Sequence, residues 1–359
     1  MRLSVASSLP LAFALAAASP LVSQEGLQSR DDTVTLSTAA YDNMQYYVQY
    51  AASAYCNSED TAGARVTCED GCPDVMANGA TVLGSLPNTT TFNLEGYVAV
   101  DTVREEIVVA FRGSSSLRNW MADLDFIQVS CDYTDGCRVH DGFKDSWDEV
   151  SANAFDLVEA AYASYPSYSL VVTGHSLGAA VGTLAAVELR NLGYACDLYT
   201  YGSPRVGNLA FAEYVTSQAG AEYRATHYDD PVPRLPPIWA FGYYHTSPEY
   251  WLESGPNTNT EYAISGIDIC VGYANTSCNA GTSGLDKTAH SYYFQYMGCS
   301  TEEENTMIAI KRGELESGGA LWARDDISDE QLELRLNNYT MEDIAYSQEL
   351  SANETASLS

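Results

Sequence analysis

The stretch Ser169-Leu170-Val171-Val172-Thr173, followed at once by Gly174-His175-Ser176-Leu177-Gly178 and then by Ala179-Ala180-Val181, decides the fold. The first five residues are a short apolar run of strand character. The small-residue segment from Ala179 to Leu192 has helix length and is closed by Gly193. Between them stands G-x-S-x-G in the strand–turn–helix setting that a nucleophile elbow requires. Such a turn lifts the Ser176 hydroxyl clear of the backbone at the tip of a sheet. The glycines let strand and helix approach closely, and the helix N-terminus aims free N–H groups at any oxyanion formed there. The five-residue pattern alone recurs by chance; its flanks make it point to attack on an acyl carbon.

Working outward, Asp42–Ala54 carries Met44, Tyr47, Val48 and Ala51 at helical spacing. Thr91–Val100 and Ile107–Phe111 read as strands around a polar turn at Asp101–Glu105. Val150–Tyr165 reads as a helix that stops before Pro166. Downstream come a strand at Asp197–Tyr201, a helix at Leu209–Gln218 and a strand at Glu222–His227. Strand–helix alternation of this kind predicts one α/β domain over residues 31–299, with a mainly parallel central sheet.

The ends differ. Met1-Arg2 and the apolar run Leu9–Ala18 predict a secretory signal peptide over residues 1–19, too short to span a bilayer, with a short pro-segment over 20–30. No later stretch is long and apolar enough to cross a membrane, so no stable insertion is expected. Ser300–Ser359 is rich in Asp and Glu and poor in bulky apolar residues, which predicts a mobile acidic extension with a helix around Ser328–Leu336. A tail docked on the main domain is the alternative.

The 359 residues carry a formal net charge of −31, which excludes binding to nucleic acid or anionic membranes by charge. Nine cysteines fit an oxidising, extracellular compartment. Cys68 with Cys72, Cys131 with Cys137 and Cys270 with Cys278 are each spaced to close a small loop. A Cys56–Cys299 bridge would tie the two ends of the domain, leaving Cys196 over and buried. Sequons at Asn88, Asn275, Asn338 and Asn353 are compatible with glycosylation.

A serine needs a base and the base needs an orienting acid, and on this scaffold they follow in the order serine, acid, histidine. Among the five histidines, His175 lies inside the elbow and His140 precedes the serine. His227 is too close to the candidate acids to come from a separate loop. His245 and His290 remain, with spacing favouring His290. Asp229 and Asp230 end a strand just before Pro231 and are the candidate acids. For the oxyanion hole, the Leu177 N–H is one donor; Ser114, after Phe111-Arg112-Gly113, offers the other. Leu117, Trp120, Met121 and Leu124 then fall at i, i+3, i+4 and i+7, a short amphipathic helix that predicts a lid over an apolar cleft.

From about Tyr41 to Cys299 the chain resembles the secreted lipases of filamentous fungi in the class 3 lipase family, which are α/β-hydrolases related to feruloyl esterases. The resemblance rests on the elbow together with Phe111-Arg112-Gly113-Ser114, Asn119-Trp120, His140-Asp141-Gly142-Phe143 and Tyr201-Gly202-Ser203-Pro204-Arg205-Val206-Gly207-Asn208. It continues through Thr226-His227, Asp230, Val232-Pro233-Arg234-Leu235-Pro236-Pro237, Pro248-Glu249-Tyr250-Trp251 and Ala289-His290. It implies a triad of Ser176, Asp230 and His290, an oxyanion hole of Ser114 and Leu177, and a lid at Leu117–Leu124. It also implies bridges Cys56–Cys299, Cys68–Cys72 and Cys131–Cys137, and neither metal nor organic cofactor. Tyr55, His175, Val232 and Leu235 are expected around the acyl pocket. The implied protein is a secreted monomer hydrolysing triacylglycerol at an oil–water interface, with feruloyl esters or phospholipids as alternative substrates. Trp120, Met121 and Leu124 favour lipid over a ferulate. An inactive surface-binding relative would have lost a catalytic member, and none is missing. Three features depart from the pattern: Pro231 after the acid, the Cys270 and Cys278 pair, and the acidic extension.

Overall fold

The computed structural model describes residues 34–69, 71–114, 117–123, 125–299 and 327–357. The expected signal peptide, the expected pro-segment, Leu124 and residues 300–326 lie outside the described residues. Among the described residues there are ten strands: Thr81–Leu86 (β1), Gly96–Asp101 (β2), Glu106–Phe111 (β3), Gln128–Ser130 (β4), Arg138–His140 (β5), Ser169–His175 (β6), Cys196–Tyr201 (β7), Glu222–His227 (β8), Glu249–Leu252 (β9) and Asp268–Cys270 (β10). The α-helices are Thr38–Asn57 (α1), Pro73–Asn78 (α2), Leu117–Asp123 (α3), Asp141–Ser164 (α4), Leu177–Asn191 (α5), Leu209–Ser217 (α6), Ile238–Phe241 (α7), Lys287–His290 (α8) and Asp329–Ser357 (α9).

Eight strands form one sheet in the order β1-β2-β3-β6-β7-β8-β9-β10; β4 and β5 make a separate hairpin. The pairings from β3 through β6, β7 and β8 to β9 are parallel, and the outer pairs are antiparallel. The register aligns Phe111 with Gly174 and His175 with Tyr201, so the carboxyl ends of β3, β6 and β7 stand side by side. In an open α/β sheet that edge is where ligands bind.

Alternation along the central strands separates two cores. Ile107, Val109, Phe111, Leu170 and Val172 face a cluster that includes α4 and α5, while Val108, Ala110 and Val171 face a tyrosine-rich cluster built on α1. Buried on both faces, these strands read as continuous apolar runs. Cys56–Cys299, Cys68–Cys72, Cys131–Cys137 and Cys270–Cys278 are bridged, and Cys196 is free and buried. The expected strand Thr91–Val100 is shorter, starting at Gly96, because Asn93 adopts a positive φ that ends extended backbone. Strands β1, β9 and β10 carried no signal strong enough to be read.

The acidic extension is the main correction. Its described part is not a mobile tail but a long helix, α9, with Leu332 and Leu336 inside the larger core cluster. Asp343 is 2% exposed and accepts from Arg205 Nη1 at 2.8 Å, a buried ion pair, and from the Trp239 N–H at 2.9 Å. Further along, Asn337 Oδ1 accepts the Gly284 N–H at 2.7 Å and Ser347 donates to the Ala274 carbonyl at 2.7 Å. Composition misled because this helix docks through polar groups as much as apolar ones.

Losing one partner of a buried ion pair strands the other charge, at about 3–5 kcal/mol. Asp343→Ala should therefore lower the urea midpoint of the whole domain. Equal stability of variant and wild type would show that α9 is not integral to the fold.

Candidate active site

Ser176 sits between β6 and α5 with φ 57° and ψ −128°, a left-handed backbone that a non-glycine residue adopts only under constraint. The constraint is steric closeness. A Cβ on Gly178 would lie 2.5 Å from the carbonyl oxygens of both Phe111 and Arg112, so α5 rests directly on the end of β3. One on Gly113 would lie 2.7 Å from Ser176 Cβ, which places the loop after β3 against Ser176. Arg112 anchors that loop through a two-pronged pair with Glu95, at 2.9 and 2.8 Å. Leu177 is the first residue of α5, so its N–H has no acceptor within the helix. Ser114, on the neighbouring loop, is half-buried.

Asp230, the candidate acid, is fully buried in the loop after β8. Its Oδ2 takes His290 Nδ1 at 2.8 Å and the Tyr293 hydroxyl at 2.5 Å, while Oδ1 takes the Val232 N–H at 2.8 Å. Burial and the Asp230 charge hold the Tyr293 phenol well above its ordinary pKa, so it stays a donor. Asn279 Nδ2 donates to the Asp230 carbonyl at 3.1 Å and fixes the loop from behind. Tyr293 and Asn279 were not legible in the sequence: 26 tyrosines leave no one of them conspicuous. Asp229 is only half-buried, and burial with nearby Asp286 raises its pKa.

A carboxylate only accepts, so the proton of neutral His290 lies on Nδ1 and Nε2 is bare. Nε2 is buried and makes no hydrogen bond to Ser176 or any other described group. It is thus left open to take a proton. His245, the competing candidate, is engaged away from Asp230. Its Nε2 pairs with the Pro233 carbonyl at 2.6 Å, and it lines a polar cavity with Ser203, Arg224 and Thr246.

His175, expected at the acyl pocket, is buried and bonded through both ring nitrogens. Its Nε2 lies 2.9 Å from the His290 carbonyl and must donate; its Nδ1 then accepts the Tyr55 hydroxyl at 2.8 Å. The Tyr55 oxygen in turn accepts the Gly113 N–H at 3.0 Å. One bonded chain therefore joins the β3 loop, α1, the elbow and the His290 backbone. Val232 and Leu235 are fully buried in the larger core, with Trp120 and Met121, which are 6% and 3% exposed. Leu117 packs against the same cluster. Among the described residues no group of three or more His, Cys, Asp or Glu is placed to hold a metal ion.

Several histidines here are held neutral by burial: His175 and His245 well below the ordinary range, and His140 down to about 4. An unfolded imidazole takes a proton near pH 6.5 that these refuse until far lower. The stability they contribute is present above about pH 6.5 and is lost as pH falls toward 4. The melting temperature should drop across that window, and His140→Gln should flatten the drop. Parallel curves for variant and wild type would contradict it.

The class 3 lipase family model matches residues 108–239. A secreted mono- and diacylglycerol lipase of Fusarium solani is 48% identical over 331 residues, covering 92% of this chain and 94% of that one. That alignment is longer than the 299 residues ending at Cys299, so it reaches into the acidic extension. A secreted mono- and diacylglycerol lipase of Penicillium cyclopium is 44% identical, over 82% of this chain and 95% of its own. The crystal structure of a mono- and diacylglycerol lipase from Aspergillus oryzae superposes with a TM-score of 0.68 at 40% identity, covering 73% of this chain and 98% of that one. Identity at this level along nearly the whole length settles the matter: the chain belongs to the class 3 lipase family and is a secreted hydrolase of carboxylic esters.

Proposed function

We propose that the chain hydrolyses mono- and diacylglycerols at a lipid surface, through Ser176, His290 and Asp230, from beneath a lid formed by Leu117–Leu124. The observation that carries the reading is the bare, buried Nε2 of His290, fixed by Asp230 on its far side. The preference for partial glycerides is taken from the relatives' names, the Fusarium solani one foremost.

In the proposed reaction Ser176 Oγ attacks the ester carbon while His290 Nε2 takes its proton. Asp230, held by Tyr293 and the Val232 N–H, keeps the ring in place and stabilises its charged form. The N–H of Leu177 and the N–H or hydroxyl of Ser114 receive the negative oxygen. His290 then returns the proton to the departing glycerol oxygen. Water attacks the acyl-enzyme by the same base, releasing the fatty acid and restoring Ser176.

The buried Trp120 and Met121 support a lid that covers an apolar cleft in water. Such a lid opens where a lipid surface receives those side chains.

Emulsified monoolein, diolein and triolein, methyl ferulate and phosphatidylcholine together test the reading. Mono- and diolein should turn over fastest, and Ser176→Ala should lose about 10⁴-fold or more in kcat. Faster turnover of ferulate, phospholipid or triolein would reassign the substrate. Undiminished turnover by the alanine variant would remove Ser176 from the mechanism.

A further inference from the structure

The helix α3, read above as the lid, is short, and its burial is imperfect. Trp120 Nε1 is buried with no hydrogen-bond partner, an unpaired donor that pulls against the closed position. Two groups at the start of α9, Asp329 on its first turn and the carbonyl of Ile327 just before it, oppose that pull. Arg118 on α3 donates through Nε to Asp329 Oδ1 at 2.7 Å and through Nη2 to the Ile327 carbonyl at 2.6 Å. Asp329 Oδ2 also pairs with Lys287 at 2.9 Å, three residues before the catalytic base. One carboxylate therefore ties the lid helix to the segment that carries His290. The same two cations hold the Asp329 carboxyl below its ordinary pKa.

The geometry points to α9 as an intramolecular strap that holds the lid closed, anchored in the core and latched at its solvent end. The anchor is the buried pair Arg205–Asp343, at 2.8 Å, with side chains 1% and 2% exposed. The latch is the exposed pair Arg118–Asp329, with side chains 31% and 53% exposed. The two ends differ in kind. A buried pair does not yield to solvent, while an exposed one is weak and screened by salt. The strap therefore stays in place while its latch exchanges with water. A lid that swings up to meet lipid breaks Arg118 away from Asp329 without unfolding α9.

This makes α9 a device that sets how strongly the enzyme depends on a surface. It rests on the assignment of α3 as lid. Removing the latch shifts the lid toward open before any lipid is met, so hydrolysis of a dissolved short-chain ester should rise. One exposed pair of ordinary strength corresponds to about a two- to fivefold change.

The test compares wild type with Asp329→Asn and Arg118→Gln on p-nitrophenyl butyrate below its solubility limit and on emulsified diolein. Glu330→Gln, which removes a neighbouring exposed carboxylate, is the control for general charge. The strap predicts that both latch variants gain on the dissolved ester, keep the wild-type rate on emulsion and so lose part of the surface dependence. Unchanged ratios in both variants, or an equal gain in the Glu330 control, would overturn it. A wild type that does not act on emulsified diolein would instead overturn the lipase reading, so the two failures are distinct.

Discussion

Three chain segments meet at Ser176: the end of β3, the end of β6 and the first turn of α5. Only the absence of side chains at Gly178 and Gly113 lets them meet, since a single Cβ at either would sit inside another residue. The left-handed backbone at Ser176 costs on the order of 1–3 kcal/mol, and the parallel registers around it hold that conformation in place. The rest of the site follows from this junction. Ser176 stands at the sheet edge just before the first turn of α5, and the loop after β8 and α8 bring Asp230 and His290 together. A chemistry that needs atoms placed within tenths of an ångström is thus built on rigid elements.

Much of this was legible because it depends on local patterns. An apolar strand, a glycine-flanked serine and a small-residue helix form one contiguous signal. The strand β8 matched its expected bounds, Glu222–His227, because its turn residues are explicit in the sequence. Spacing favoured His290 over His245 without settling the choice, since both follow the acid at plausible distances. Family resemblance pointed to His290, and the packing of His245 against the Pro233 carbonyl gives the physical reason. What His175 bonds to was not legible from its place in the elbow. Its partners, Tyr55 and the His290 carbonyl, are 120 and 115 residues away in sequence.

The acidic extension failed for a different reason. Among the described side chains of α9 the buried ones are Leu332, Leu336, Thr340 and Asp343, so half of that inward stripe is polar. A hydrophobic pattern cannot reveal a helix that docks through an ion pair, a hydroxyl and two leucines. Nor does high negative charge forbid order when the domain offers buried cations, here Arg205 and Arg234. The surplus of acid along the chain is thus partly structural. Asp343 pairs with a core arginine, and Asp329 bridges Arg118 on α3 to Lys287 on α8.

The central claim is that Ser176 is made nucleophilic by His290, poised by Asp230. An alkylphosphonate probe with a fluorescent tag tests it most directly, followed by peptide mapping of the labelled protein. The account predicts one label per chain, on Ser176, formed far more slowly in His290→Asn. A label on another residue, or equal rates with and without His290, would contradict it.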